Sequence, residues 1–376
     1  TKLLKMMFIN SNKLYFLFFV LFFASCNNKK NTDLFGKKEM FSNYADNLII
    51  PSYKEYGIAL NNLKTAFDDF NTNTTISNLE ALQTAFLNTY QAWQNCEIYD
   101  KTAPADAIMS LENSNYYPCN ADSIEAYITR NDNSVAAVQN KKKYFKGLAA
   151  AEYLLFSRTL TQQQILDRYT ISSNSTSYKT YLASIIINLK TIQVKISDDW
   201  INYKNIFVEN ISTDASSAFS TMVNSIAQRT DDLKRMQVGT PAGYQGNVAT
   251  ATVKPKDVQA YYSNHSIEYM LLTLENMKDV LNGKGAIDGK GLIDYIRTLG
   301  YYSTLGGNLA DDILSQIEIC KTKVNACAPD YSETIVNNKS KADALFLETK
   351  KLLVLIKVDL PSSLGVSINY TDSDGD

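Results

Sequence analysis

The chain has 376 residues, 45% of them apolar, with 37 Lys and Arg against 39 Asp and Glu and a formal net charge of −2. That balance offers no basic surface for nucleic acid. A single histidine, His265, excludes the chemistries that need two imidazoles: His-Glu-x-x-His zinc peptidases and di-iron bundles with two Glu-x-x-His units.

At the start, Lys2, Lys5 and Lys13 precede an apolar run from Leu14 to Ala24, which closes as Phe23-Ala24-Ser25-Cys26. A basic start, a short apolar core and small residues at its end describe a secretory signal. The cysteine directly after the small pair makes residues 1–25 a bacterial lipoprotein signal, with Cys26 as the lipidated residue that ties the chain to a membrane. The apolar core is about half of what a spanning helix needs; an uncleaved anchor is the alternative. The expected location is the cell envelope, at the outer membrane and facing either the periplasm or the surface. Residues 26–45 are then a lipid-anchored tether, and loss of 1–25 leaves 34 basic against 39 acidic residues, net −5.

Beyond the tether, helical periodicity marks windows at about 41–71, 76–99, 134–157, 176–208, 214–236, 255–282, 302–325 and 339–357, with no strand series. Ser77-x-x-Glu80 reads as a capping box, Pro51 and Pro255 as first-turn residues, and Gly283-Lys-Gly285 as a stop. The length exceeds one ordinary core. The expected fold is therefore all-α, with a first helical bundle at 46–172 and a second at 173–376. Cys96, Cys119, Cys320 and Cys327 would meet an oxidising compartment. A Cys320–Cys327 disulfide requires the helix to end between them, because two helical positions so spaced lie about 10 Å apart; free buried thiols are the alternative.

Three segments carry polar groups on apolar faces. In the second window Leu79, Leu82, Phe86, Tyr90 and Trp93 form a seam that Glu97 continues, either as a solvated helix end or into an interior pocket. In the window 255–282, Gln259, Ser263 and Ser266 fall on the side of Ile267, Met270 and Leu274. They either bond back to their own helix or line a pocket. His265 sits at the margin of a solvated acidic face that includes Glu268, which argues against a metal ligand. The most informative run is Phe145-Lys-Gly-Leu-Ala-Ala-Ala-Glu-Tyr-Leu-Leu-Phe-Ser157, which sets Glu152 among apolar residues. A charge so placed is either paired inside a site or on a wetter helix than the pattern suggests.

That run resembles the signature of the imelysin-like family, exported bacterial proteins classed with metallopeptidases and linked to iron uptake. Their motif, Gly-x-His-x-x-Glu followed by an aromatic and Leu-Leu-Phe, is matched by Gly147, Glu152, Tyr153, Leu154, Leu155 and Phe156. The His position is Ala149. Pro51-Ser-Tyr53, Ala92-Trp-Gln94 with Glu97, Tyr117-Pro118, Arg235 through Gly243 and Tyr262-Ser-Asn-His-Ser266 extend the resemblance. It implies two bundles about an approximate two-fold, with a site between them that takes in Gly147, Ala149, Glu152, Trp93, Glu97, Gln259, Ser263 and Ser266. It also implies a role with iron or haem-linked uptake components of the envelope. Oxygen ligands such as Glu97, Glu152 and Ser263 would suit iron or another hard ion better than zinc. A non-catalytic binding or accessory protein is the expected function; a metallopeptidase and a structural or adhesive lipoprotein are the alternatives.

Overall fold

In a computed structural model, residues 35–250 and 252–370 are described; Cys26 and the signal lie outside them. Residues Lys38–Asp376 group into one compact unit, and Phe35–Lys37 belong to the unit before it. The all-α expectation holds. The principal helices are α1 (Lys37–Asn43), α2 (Ile50–Thr72), α3 (Ile76–Glu97), α4 (Gly147–Leu155), α5 (Ser175–Glu209), α6 (Ala218–Asp232), α7 (Ser266–Asn282), α8 (Leu309–Ala326) and α9 (Lys339–Val354). The only strands among the described residues are the two-residue pairs Tyr244–Gln245 and Val248–Ala249. No described helix is long and apolar enough to cross a membrane.

Local chemistry explains where the helices depart from the sequence pattern. Helical structure already runs at Lys37, and Met40, Phe41 and Tyr44 are fully buried, so the tether stops short of residue 45. Pro51 lies in the first turn of α2, as expected, where the π-helical turn Tyr44–Ile49 passes into that helix. A widened turn tolerates a residue with no N–H to donate. Thr75, not Ser77, caps α3 by accepting the Asn78 N–H at 3.3 Å. The window 134–157 is broken, since Gly147 has φ +77° and restarts the helix as α4. The window 255–282 is α-helical only from Ser266; before it, Pro255 opens a single 3-10 turn, Pro255–Asp257, and Ala260 and Asn264 adopt positive φ. Gly283 ends α7 in the left-handed conformation, as expected.

Helix α2 packs on α3, and α5 packs on α2 and α4, so the N-terminal helices share α5 as a common wall. Helix α8 packs on α9, while α7 lies against both α8 and α3 and joins the two parts of the chain. The core is rich in fully buried aromatics, among them Trp93, Trp200, Tyr56, Tyr90 and Tyr269. No disulfide joins Cys320 to Cys327: α8 continues to Ala326, and Cys96, Cys119, Cys320 and Cys327 are free thiols. The helix does not break inside that interval, which keeps the two cysteines at helical spacing.

Candidate functional site

Gly147 fixes where α4 begins. A Cβ at this position would stand 2.5 Å from the Ser114 carbonyl oxygen, and φ +77° disfavours any side chain. One and a half turns later Glu152 points inward and is 2% exposed. Its Oε1 accepts the Ser263 backbone N–H at 2.7 Å and the Ser263 hydroxyl at 2.7 Å, and the Tyr262 N–H adds a third donor. Burial outweighs these donors and raises the carboxyl to about 7. The Cys119 thiol and the Tyr90 and Tyr269 hydroxyls lie close enough to the same carboxylate to feel its charge. Burial lifts the Cys119 thiol to about 12.

The segment that seals Glu152 is a loop, not the helix that its spacing suggested. The left-handed residues Ala260 and Asn264 turn residues 258–265 so that Ser263 presents both its N–H and its hydroxyl to the acid. Ser263 therefore bonds across to another element instead of back to its own helix. Arg158 holds this loop in place: its guanidinium bonds the Tyr261 carbonyl at 3.4 Å and Asn264 Oδ1 at 3.2 Å, and pairs with Asp330.

Glu97 is 3% exposed and belongs to an interior polar seam, not a solvated helix end. Its carboxylate pairs with Arg229 at 3.0 Å. Arg229 Nη2 also donates to Thr273 Oγ1 at 2.7 Å and to Gln94 Oε1 at 3.3 Å. Gln237 donates to Thr273 Oγ1 at 3.2 Å and to Gln259 Oε1. Gln259 lies against the Tyr90 hydroxyl, and Tyr90 in turn adjoins Glu152. A string of polar side chains thus links the two carboxylates. Burial raises Glu97 to about 7 against the opposing pull of Arg229, and raises Asp232 to about 6. Asp232 pairs with Arg235 at 3.0 Å.

The remaining expected residues are buried without all joining this chemistry. Ala149 is 4% exposed; Trp93 is fully buried with its ring 5.3 Å from Tyr56; Ser266 is buried in the first turn of α7. His265 lies outside the seam, with Nδ1 2.7 Å from the Ser263 carbonyl and Nε2 3.8 Å from Glu268. Arg229, Asp232, Thr273 and Gln237 were not anticipated. The run Arg229-Thr-Asp-Asp232 has the polarity of a solvated face, yet all four residues are buried. The one available signal was its mixed charge, which allows the run to neutralise itself in the interior.

The donor set does not fit the metal centre of a peptidase. A catalytic zinc takes three protein ligands and leaves a fourth position open. Here a methyl group occupies the motif's imidazole position, Ser263 donates twice to Glu152 Oε1, and Arg229 neutralises Glu97. Among the described residues no three His, Cys, Asp or Glu side chains converge. The two carboxylates expected to share a metal stand at opposite ends of the polar string.

Fold and site together define an all-helical protein with a buried, hydrogen-bonded acid on a seam between helices from both parts of the chain. The chain belongs to the imelysin family: the model of that family, a peptidase family by name, matches residues 49–354. The fold is similar to the crystal structure of a candidate iron-regulated protein A precursor from Parabacteroides distasonis ATCC 8503, with TM-score 0.70 and 13% identity over 87% of this chain and 95% of that one. It is also similar to an imelysin-like protein from Psychrobacter arcticum 273-4, with TM-score 0.67 and 18% identity over 89% of this chain and 97% of that one. Among curated proteins none matches this sequence.

Proposed function

We propose that this imelysin-family chain is a lipid-anchored, non-hydrolytic binding or accessory component of iron or haem-linked uptake at the cell envelope. The observation that carries the binding reading is an excess of buried hydrogen-bonding capacity along the seam. The Tyr269 hydroxyl, Gln237 Oε1 and Arg229 Nη1 are buried along it with no hydrogen-bond partner among the described residues. Buried polar atoms are almost always satisfied, so unpaired atoms along the seam between the two carboxylates support a site built to receive a polar ligand. Ala149 at the motif's His position and the sealed Glu152 support a non-hydrolytic role. The iron link rests on family resemblance and on the name of the Parabacteroides protein. Anchoring rests on the Cys26 signal.

Growth under iron limitation tests the reading. Cells lacking the gene, or carrying Glu152→Gln, should grow more slowly than wild type when iron or haem is scarce and equally when it is plentiful. Equal growth in both conditions would overturn the uptake role.

A further inference from the structure

Helix α5 is the longest among the described residues, 35 residues, and its outer face carries an apolar line that the fold leaves uncovered. Ile187, Val194 and Ile201 are 36%, 43% and 76% exposed. They recur at intervals of seven residues, which is within about 20° of two full helical turns, so they form one ridge. The ridge runs about 21 Å along the helix axis. Beside it, between α5 and α2, lies a groove of about 470 Å³ lined by Gly57, Ile58, Val194 and Trp200, with Ile58 52% exposed. Buried sites elsewhere in the chain take no part in this surface.

We propose that this face is an isologous interface with a second copy of the same chain, the two α5 helices crossing antiparallel with the two-fold axis at Val194. The sequence is self-complementary about that residue. Ile187 and Ile201 each stand seven positions from it, so each meets the other across the axis. Lys190 and Asp198 each stand four positions away, so each cation meets an acid, twice per dimer. Both are exposed, and among the described residues neither has an ion-pair partner; Lys190 bonds only the neutral Asn61 side chain. A parallel arrangement would set Lys190 against Lys190 and Asp198 against Asp198, which like-charge repulsion disfavours. The two-fold operator makes every favourable contact occur in duplicate. Val194 lies near the middle of α5, which leaves more than two turns of helix on either side to extend the contact over Ile58 and the groove. That length suits a standard interface of about 800 Å² on each partner.

Cysteine crosslinking of the full chain in intact cells tests the pairing. Val194→Cys lies on the axis, so copper phenanthroline should remove two protons and two electrons from the paired thiols and give a disulfide dimer. Its yield should exceed by tenfold or more that of Leu347→Cys, an exposed position on α9. Adding Lys190→Asp to Val194→Cys should lower the yield at least fivefold, and adding Asp198→Lys as well should restore it. Restoration by the double exchange separates a charge pair from general damage to the helix. A yield no higher than that of Leu347→Cys, or a double exchange that fails to recover, would overturn the interface; so would capture of a different protein at Val194→Cys in place of a second copy.

Discussion

Replacing Glu152 with Gln should change how stability depends on pH, and the burial of the acid sets the sign. The ordinary carboxyl value is 4.5, and burial raises Glu152 to about 7 in the folded chain. Between these values the folded state holds a proton that the unfolded state has released, so stability falls as pH rises from 4.5 to 7 and levels off above. The loss amounts to about 3 kcal/mol. Gln keeps an acceptor for Ser263 but sets its amide hydrogens toward the Tyr262 N–H, which costs about 1 kcal/mol at every pH. At pH 5 about 1 kcal/mol of that loss has already occurred, so wild type and variant should be about equally stable, and at pH 8 the variant should be more stable by about 2 kcal/mol. Glu97 and Asp232 titrate in both proteins and cancel in the difference. Urea unfolding followed by far-ultraviolet circular dichroism at pH 5, 6, 7 and 8 measures it, on the chain from Cys26 with that residue changed to Ser. A difference that stays constant across this range would show that Glu152 titrates as a surface acid and would refute the buried placement.

Arg229→Met should destabilise the chain by about 3–5 kcal/mol, because it leaves Glu97 buried without its cation; adding Glu97→Gln should recover part of that loss in the same urea assay. Gly147→Ala should cost more than about 2 kcal/mol, since it combines a positive φ with a 2.5 Å approach to the Ser114 carbonyl. Arg158→Ala should speed amide exchange in residues 258–265 while leaving α5 unchanged, as read by hydrogen-exchange mass spectrometry. Cys96, Cys119, Cys320 and Cys327 should all react with a thiol reagent in denaturant without prior reduction, and a reductant should leave the melting temperature unchanged.

The helices were legible because long amphipathic windows carry a strong periodic signal, and Glu152 stood out because it interrupts an apolar face. Resemblance to the family put Ser263 in the same site as Glu152, while the helical reading of its own segment was mistaken. Spacing put Gln259, Ser263 and Ser266 on one helical stripe, whereas the chain uses two left-handed residues to form a loop. Alanine at 260 gives no hint of a positive φ, since glycine or asparagine is the usual marker. Arg229 and Asp232 escaped notice because periodicity registers polarity and is blind to pairing: a charged run that neutralises itself in the interior looks like a wet surface.

Proteolysis tests the central claim most directly. Purified chain, supplied with zinc or with iron, is incubated with an unfolded protein substrate at pH 7 and compared with Glu152→Ala and with a chelator-treated sample. An acid sealed by Ser263 beside a methyl group should give cleavage indistinguishable from buffer in all three. Turnover that disappears both with chelator and with Glu152→Ala would contradict the account and make this chain a working peptidase.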